Sequence, residues 1–530
     1  MKNIKLQAHR GVSSDCPENT MAAFRCAALQ GYDVIELDPD YTKDGKIVIL
    51  HDKTLNRTAR KADGSCEEKE LCIREITYED ALEYDFGIAA SNKFRGEKIP
   101  LFKDVLKLAA DENIRLKIDN KIQWFPKDIL SLFFSELKEY TEYVSVTSNN
   151  LDFIRFCLAE NPDLSIDYDG QVTKEILEEL CSIIPRERLT VWLPYKCEAT
   201  SWVRTPFAGE ELTKLVKKYA SLGIWLISDY EAFYEAAERF RADIVETNGI
   251  VKPIKNAGTR YDMHTHSISS HDSECKVSDM QCAASKKGLD GFAVTDHCDI
   301  EFHETQDLDA IVKASLADAE RANENGKPAV LKGIEICEAF WHSDVSEKIL
   351  RSHDFDAVIG SVHAVRFDGF YMPYSRIDFS EMSRETVAEY LDRYFDDMLV
   401  MLDCCDIDIL AHMTCPLRYI VGKYGIETDL AVYEEKIKKI LRYIISHKIA
   451  LEVNTSCLYE RSGYFELLPS LNIIKMYRDM GGYLITTGSD AHIAENAANG
   501  FDTLYSTLGE LGFKNIYYYK NRLPVQCSIE

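Results

Sequence analysis

The sequence predicts an α/β protein of two β/α barrels in tandem, an N-terminal (β/α)8 TIM barrel and a C-terminal seven-stranded β/α barrel. Three observations carry this. A chain of 530 residues is too long for one ordinary domain. Short β-rich runs alternate with helical patterns throughout, as parallel sheets with crossover helices require. Histidines and carboxylates recur where those runs end, at the rim on which such barrels carry their chemistry.

In the first half, residues 1–254, strands are expected at Ile4–His9, Asp33–Asp38, Ile114–Asp119, Tyr143–Ser148, Leu164–Asp169, Leu189–Leu193, Ile224–Ser228 and Asp243–Thr247. The first helix starts near Thr20 and stops at Gly31, a C-terminal glycine signal. Strand one runs out into His9-Arg10-Gly11, and strand two carries Glu36 and Asp38 two apart on one face. Asp44-Gly45 between β-rich runs predicts a hairpin; a two-residue turn there sets Asp38 opposite His51. Strand three supplies Asp119 and Lys121. Carboxylate oxygens suit Mg²⁺ or Ca²⁺, Arg10 and Lys121 suit phosphate oxygens, and His9 and His51 suit proton transfer. No other histidine occurs in this half.

His9-Arg10-Gly11, Pro17-Glu18-Asn19-Thr20, Phe24, Glu36-x-Asp38, Thr42-x-Asp44-Gly45, His51-Asp52 and Arg57-Thr58 resemble the glycerophosphodiester phosphodiesterase family. The resemblance implies that Glu36 and Asp38 bind metal, that His9 and His51 are the acid–base pair, and that Arg10 and Lys121 bind phosphate. It also implies a Glu where this chain has Asp119, and Thr-Asp before a Pro where it has Glu246-Thr247-Asn248-Gly249. Asn248–Thr259, with Pro253 and Gly258, is too short for a flexible tether and is expected to hold the barrels close together.

The second half, residues 259–530, resumes the alternation. Strands are expected at Tyr261–His264, Phe292–Thr295, Val330–Ile336, Ala357–Ser361, Ile407–Ala411, Ala450–Asn454 and Tyr483–Thr487. Ser278 and Gln281 have capping-box spacing at the first helix. His264 and His266 end the first strand, two apart and so able to lean onto one ion. Asp272, His297, Glu335, His363, His412, Asp490 and His492 follow at later strand ends or loops. Six imidazoles and three carboxylates exceed the needs of one tetrahedral ion, so two or three metals fit. Such a site clamps phosphoryl oxygens and makes bound water acidic. His303, His342, His353 and His447 are read as ordinary histidines.

Gly360-Ser361-Val362-His363, Glu452-Val453-Asn454-Thr455-Ser456 and Gly488-Ser489-Asp490-Ala491-His492 resemble the histidinol-phosphatase branch of the PHP (polymerase and histidinol phosphatase) superfamily. The resemblance implies one metal on His264, His266, Glu335 and Asp490. It implies a second shared by Glu335 with His363 and His412, and a third on Asp272, His297 and His492, with His271 competing for the place of Asp272. Mn, Fe and Zn are the implied occupants. Arg418 is a candidate for substrate phosphate, ahead of Arg366.

Composition bounds the partners. A hydrophobic content of 46% and charged content of 28% describe an ordinary globular protein, and a net charge of -26 disfavours nucleic acid and anionic membranes. The 16 cysteines include no CxxC pair and read as reduced thiols in a cytoplasm. The N-terminus runs at once into a strand, and no apolar run is long enough for membrane insertion. The expected partners are small-molecule phosphate esters. The expected activity is a bifunctional phosphoesterase, phosphodiesterase first and phosphomonoesterase second. The rival is a histidinol-phosphate phosphatase-like enzyme whose first barrel only binds a phosphorylated ligand.

Overall fold

A computed structural model of the chain describes residues 4–196, 207–251, 258–324, 326–367, 370–459 and 463–529. The chain divides into two compact units, Met1–Pro253 and Ile254–Glu530. Half of the expected junction falls on residues 252–257, outside the described residues.

The first unit is a closed parallel barrel. Its strands are β1 (Lys5–Ala8), β2 (Val34–Leu37), β5 (Arg115–Ile118), β6 (Val144–Ser148), β7 (Ser165–Tyr168), β8 (Leu189–Pro194), β9 (Ser221–Ile227) and β10 (Ile244–Thr247). They run in the order β1-β10-β9-β8-β7-β6-β5-β2, with β1 also paired to β2. Each sits within a few residues of its expected position; β9 starts earliest, at Ser221 rather than Ile224. The first helix, Met21–Gln30, is capped by Thr20, whose side chain accepts from Ala23 N–H, and ends at Gly31 with φ +80°. Gly11 is demanded by close approach: a Cβ there would lie 2.6 Å from Ala23 Cβ.

Between β2 and β5 an antiparallel hairpin, β3 (Pro39–Tyr41) and β4 (Ile47–Ile49), stands off the barrel. Its register corrects the expected one. Tyr41 pairs with Ile47 and Pro39 with Ile49, so Asp38 falls opposite Leu50, not His51. The turn has three loop residues rather than two. Thr42 closes it by accepting from Lys46 N–H and donating to Asp44, while Gly45 takes the left-handed position at φ +76°.

The second unit holds seven main parallel strands: β11 (Tyr261–Thr265), β12 (Gly291–Val294), β14 (Ala329–Cys337), β15 (Ala357–Ser361), β18 (Ile409–Leu410), β19 (Ala450–Asn454) and β20 (Ile485–Gly488). A short β13 (His297–Asp299) pairs with the far end of β14. The sheet all but closes. Beyond β20, Asp490 N–H donates to His264 O at 2.8 Å and His266 N–H to Ala491 O at 2.9 Å. Two antiparallel hairpins complete the unit, β16 (Ala364–Phe367) with β17 (Phe370–Pro373), and β21 (Asn515–Lys520) with β22 (Leu523–Ser528). The strands are buried on both faces, and the side chains packed outside the sheet form one large aliphatic and aromatic core.

The expected capping box does not form. The helix Val277–Lys286 has Lys276 at its N-cap with no side-chain cap. Gln281 Nε2 instead reaches the carbonyls of Ala322, in the last turn of the helix Leu308–Glu324, and of Gly326 and Pro328.

Candidate functional site

In the first barrel, Glu36 on β2 and Asp38 just after it meet Asp119, just after β5. One carboxylate oxygen from each lies within 4.8 Å of the others. Burial, then the charges of Asp38 and Glu246, pushes the Glu36 carboxyl up. Burial and Asp38 raise Asp119 to about 6. Asp38 goes the other way: burial opposes its charge, but Lys121 and Arg10 outweigh burial and hold it low.

Arg10 sits at φ +58°, which turns its N–H onto Glu36 at 2.9 Å. Its Nε lies 3.3 Å from Asp38 and its Nη1 3.0 Å from Glu18. Lys121 Nζ is 3.2 Å from Asp38 and donates to the carbonyls of Leu50 and His51. Lys121 thereby ties the hairpin's exit, and with it His51, to the carboxylates, despite the shifted register.

The two histidines are held from behind by different groups. His9 Nδ1 faces Asn248 Oδ1 at 2.7 Å, which leaves Nε2 4.0 Å from Glu36. His51 Nδ1 faces Asp52 at 2.6 Å. Arg57 bonds Asp52 at 2.6 Å and grips Glu18 through both oxygens, at 2.8 and 2.7 Å. Burial opposes the charge on Asp52, but the bonds from Arg57 and His51 hold its carboxyl at about 2. Glu18, Asp52, Arg57 and Asn248 were visible in the sequence only as motif letters without roles. Lys117 was not visible at all. It is buried, bonded to Glu246 at 3.2 Å and 4.1 Å from the Trp192 ring, a balancing cation behind the carboxylates.

In the second barrel five of the other eight expected ligands reach Glu335, and Asp272, Asp490 and His492 join through His264, His266 and His297. Glu335 Oε1 is 3.1 Å from His412 Nε2 and 3.4 Å from His363 Nε2. Its Oε2 is 3.5 Å from His264 Nε2, 3.7 Å from His266 Nε2 and 2.8 Å from His297 Nδ1. Asp490 lies 3.1 Å from His266 Nε2 and 3.7 Å from His264 Nε2. Asp272 reaches His492 at 3.2 Å and His297 at 3.6 Å, while His271 turns to Asp299 at 3.3 Å. His297 thus differs from the expected grouping: it spans from Asp272 to Glu335 instead of serving one side.

Burial opposes charge throughout this cluster, and the neighbours decide each outcome. His363, His264 and His297 hold Glu335 well below the ordinary carboxylate range. Glu452, Glu335 and Asp490 hold His264 well above the ordinary imidazole value. Glu335 lifts His363 to about 9, and Asp272 lifts His492 to about 9. His266, buried beside His492 and His297, falls to about 3.

Supporting groups orient the rings. Glu452 accepts from His264 Nδ1 and from His412 N–H, both at 2.7 Å. Gly488 makes room for it, since a Cβ there would lie 2.1 Å from its Oε1. His266 Nδ1 faces Ser270, and Ser270 donates to Asp296. Glu452 escaped the sequence reading because a strand-end Glu in Glu-Val-Asn looks no different from a ligand or a cap. Arg418 lies with its guanidinium 5.4 Å from the Tyr419 ring. Arg366 pairs with Glu301 at 2.9 Å.

Both clusters fit cations. His264 Nε2, His266 Nε2, His492 Nε2 and Glu335 Oε2 are buried, and the atoms they face belong to other candidate ligands. Such a cluster of mixed nitrogen and oxygen type suits Zn, Mn or Fe. The all-oxygen set of Glu36, Asp38 and Asp119 suits Mg or Ca.

Comparison with known proteins follows the same division. Residues 9–165 match the glycerophosphoryl diester phosphodiesterase family and residues 262–456 match the PHP domain. A protein of Clostridium acetobutylicum named probable histidinol-phosphatase is 27% identical over 261 residues, 49% of this chain and 97% of that protein. A glycerophosphodiester phosphodiesterase of Caldanaerobacter subterraneus subsp. tengcongensis is 36% identical over 170 residues, 31% of this chain and 66% of that protein. Among solved structures, histidinol phosphate phosphatase of Lactococcus lactis, complexed with Zn, L-histidinol and phosphate, is similar at a TM-score of 0.40 and 19% identity. It covers 51% of this chain and 99% of that one. Among the described residues no helix is long and apolar enough to cross a membrane.

Proposed function

Because the chain joins a glycerophosphoryl diester phosphodiesterase family domain to a PHP domain, we propose that it is a two-step phosphoric ester hydrolase. The first barrel cleaves a glycerophosphodiester-like phosphodiester. The second hydrolyses a phosphomonoester to free phosphate. The product class of the first site is the substrate class of the second, which gives the fusion its logic. The observation that carries the reading is the presence of two separate ligand clusters, each gathered on strand ends and each backed by its own orienting groups.

In the first barrel Glu36, Asp38 and Asp119 would hold a Mg or Ca ion, which would supply charge neutralisation at phosphorus. Arg10 binds a phosphate oxygen, and Lys121 holds His51 against the carboxylates as well as offering its charge. His9 and His51 exchange protons with the attacking and leaving oxygens through Nε2, since each Nδ1 is engaged from behind. In the second barrel the nine ligands would hold two or three ions of Zn, Mn or Fe, which would supply Lewis acidity when bound. Glu335, which several of the histidines face, would be central to holding them. Glu452 fixes His264 and His412, and Arg418 is the candidate cation for the phosphate.

The test is free-phosphate and alcohol release from a panel of phosphodiesters and monoesters. His51→Ala is expected to lose diester cleavage by about 10²-fold or more and to keep monoester hydrolysis. His412→Ala is expected to keep diester cleavage and accumulate monoester. Equal diester cleavage by wild type and His51→Ala would remove the first step from the proposal.

A further inference from the structure

We propose that Cys337 is a sulfur ligand of the second barrel's metal centre, at a position framed with His297, Glu335 and His363. This rests on the metal-dependent reading of that barrel and adds a donor to it. Cys337 is the last residue of β14, two beyond Glu335, so the two side chains leave the strand on the same face. It is fully buried. One ligand atom each from His297, Glu335, Cys337 and His363 lies within 4.8 Å of the other three.

Two separations inside this group match a coordination shell, while His297 Nδ1 and Glu335 Oε2 stand at 2.8 Å, a hydrogen-bond distance. Cys337 Sγ is 3.6 Å from His297 Nδ1. Bonds of about 2.3 Å to sulfur and about 2.0–2.1 Å to nitrogen at a tetrahedral angle put the two atoms about 3.6 Å apart. His363 Nε2 stands 3.4 Å from Glu335 Oε1, close to the separation of about 3.4 Å expected for nitrogen and oxygen on one such ion. Glu335 Oε2 is buried in the same space. Burial and the charges of Asp299, Glu335 and Glu338 push the thiol up, so a bound cation must displace its proton; Ser361 donates to Sγ at 3.5 Å, a bond that survives that loss. Only the weak contact from the thiol to Glu335 O, at 3.5 Å, is given up. Coordination forms the metal–sulfur bond, breaks S–H and releases the proton to water. A thiolate draws the site toward softer ions such as Zn or Co(II), away from Mg or Mn.

The test uses the full chain reconstituted with Co(II). A cobalt–thiolate bond gives a ligand-to-metal charge-transfer band in the near ultraviolet, separate from the visible d–d bands that nitrogen and oxygen ligands also give. Wild type should show both. Cys337→Ser and Cys337→Ala should lose the ultraviolet band, keep the visible bands and the apo-protein's melting temperature, and bind Zn at least about tenfold more weakly against a chromophoric chelator. Visible bands without the ultraviolet band in wild type, or an ultraviolet band that survives both substitutions, would overturn the assignment and leave the barrel's metal dependence standing. Failure of the second barrel to take up Co(II) at all would overturn both. If a variant fails to fold, the wild-type spectrum alone decides.

Discussion

On the proposed reading the two barrels meet the same problem, holding cations for anionic esters, with opposite donor sets. In the first, the protein itself answers Asp38 far better than Glu36 or Asp119. Asp38 touches Arg10, Lys121 and Asn19, and Glu36 receives the Arg10 N–H. In the second, buried imidazole nitrogens crowd one another and Glu335. The lesson is that the first centre balances Asp38 from within but leaves Glu36 and Asp119 to ionise at a cost that a cation would offset. The second pairs its carboxylates with imidazoles that are themselves ligands of the kind a softer ion takes.

The most forceful way to break this contrast is selective chelation. A nitrogen-donor chelator such as 1,10-phenanthroline competes for the softer transition ions and barely touches Mg or Ca. Treated protein is expected to lose essentially all monoester hydrolysis and to retain diester cleavage in added Mg, read as free phosphate against released alcohol. Parallel loss of both activities would show that the two donor sets do not select different ions.

The same contrast explains what was legible in the sequence. Strand positions were, because alternation and buried β-rich runs are local patterns. The ligands were, because a His, Asp or Glu at a strand end stands out in any one window. The hairpin register was not. Asp44-Gly45 alone cannot tell a two-residue from a three-residue turn, and the Thr42 side chain settles it through a contact with Lys46. Orienting groups were not legible either. Glu452 lies 188 positions from His264, and Asn248 lies 239 from His9; no spacing rule spans such distances. Cys337 was overlooked because a buried cysteine on a strand is ordinarily only a small apolar side chain.

Glu452 gives a sharper comparison at smaller amplitude. It orients two ligands at once, through a side-chain bond to His264 and a backbone bond to His412. Glu452→Gln keeps the shape but removes the charge behind His264. Loss of such a supporting carboxylate typically costs about 10–100-fold in metal affinity or activity. We expect that loss in Zn affinity and monoester turnover, with diester cleavage unchanged. An unchanged Zn affinity would show that the His264 ring is held by packing alone.

The smallest effect belongs to the first barrel and is set by pH. Burial and Asp38 raise Asp119 to about 6 in the folded protein, above an ordinary carboxylate. A carboxyl whose folded value is raised holds its proton more tightly than in the unfolded chain. Its ionisation therefore costs stability as pH climbs from the unfolded value through about 6, and a bound cation offsets that cost. Metal and proton then compete for Asp119. Ca²⁺ affinity measured by calorimetry should be flat above about 6 and weaken toward tenfold per pH unit below it. In Asp119→Asn the affinity should be lower at neutral pH, and the slope near 6 should flatten, because the competing proton has gone with the carboxylate. A slope near 6 that persists in Asp119→Asn would assign the titration to Glu36, which burial and Asp38 also push up.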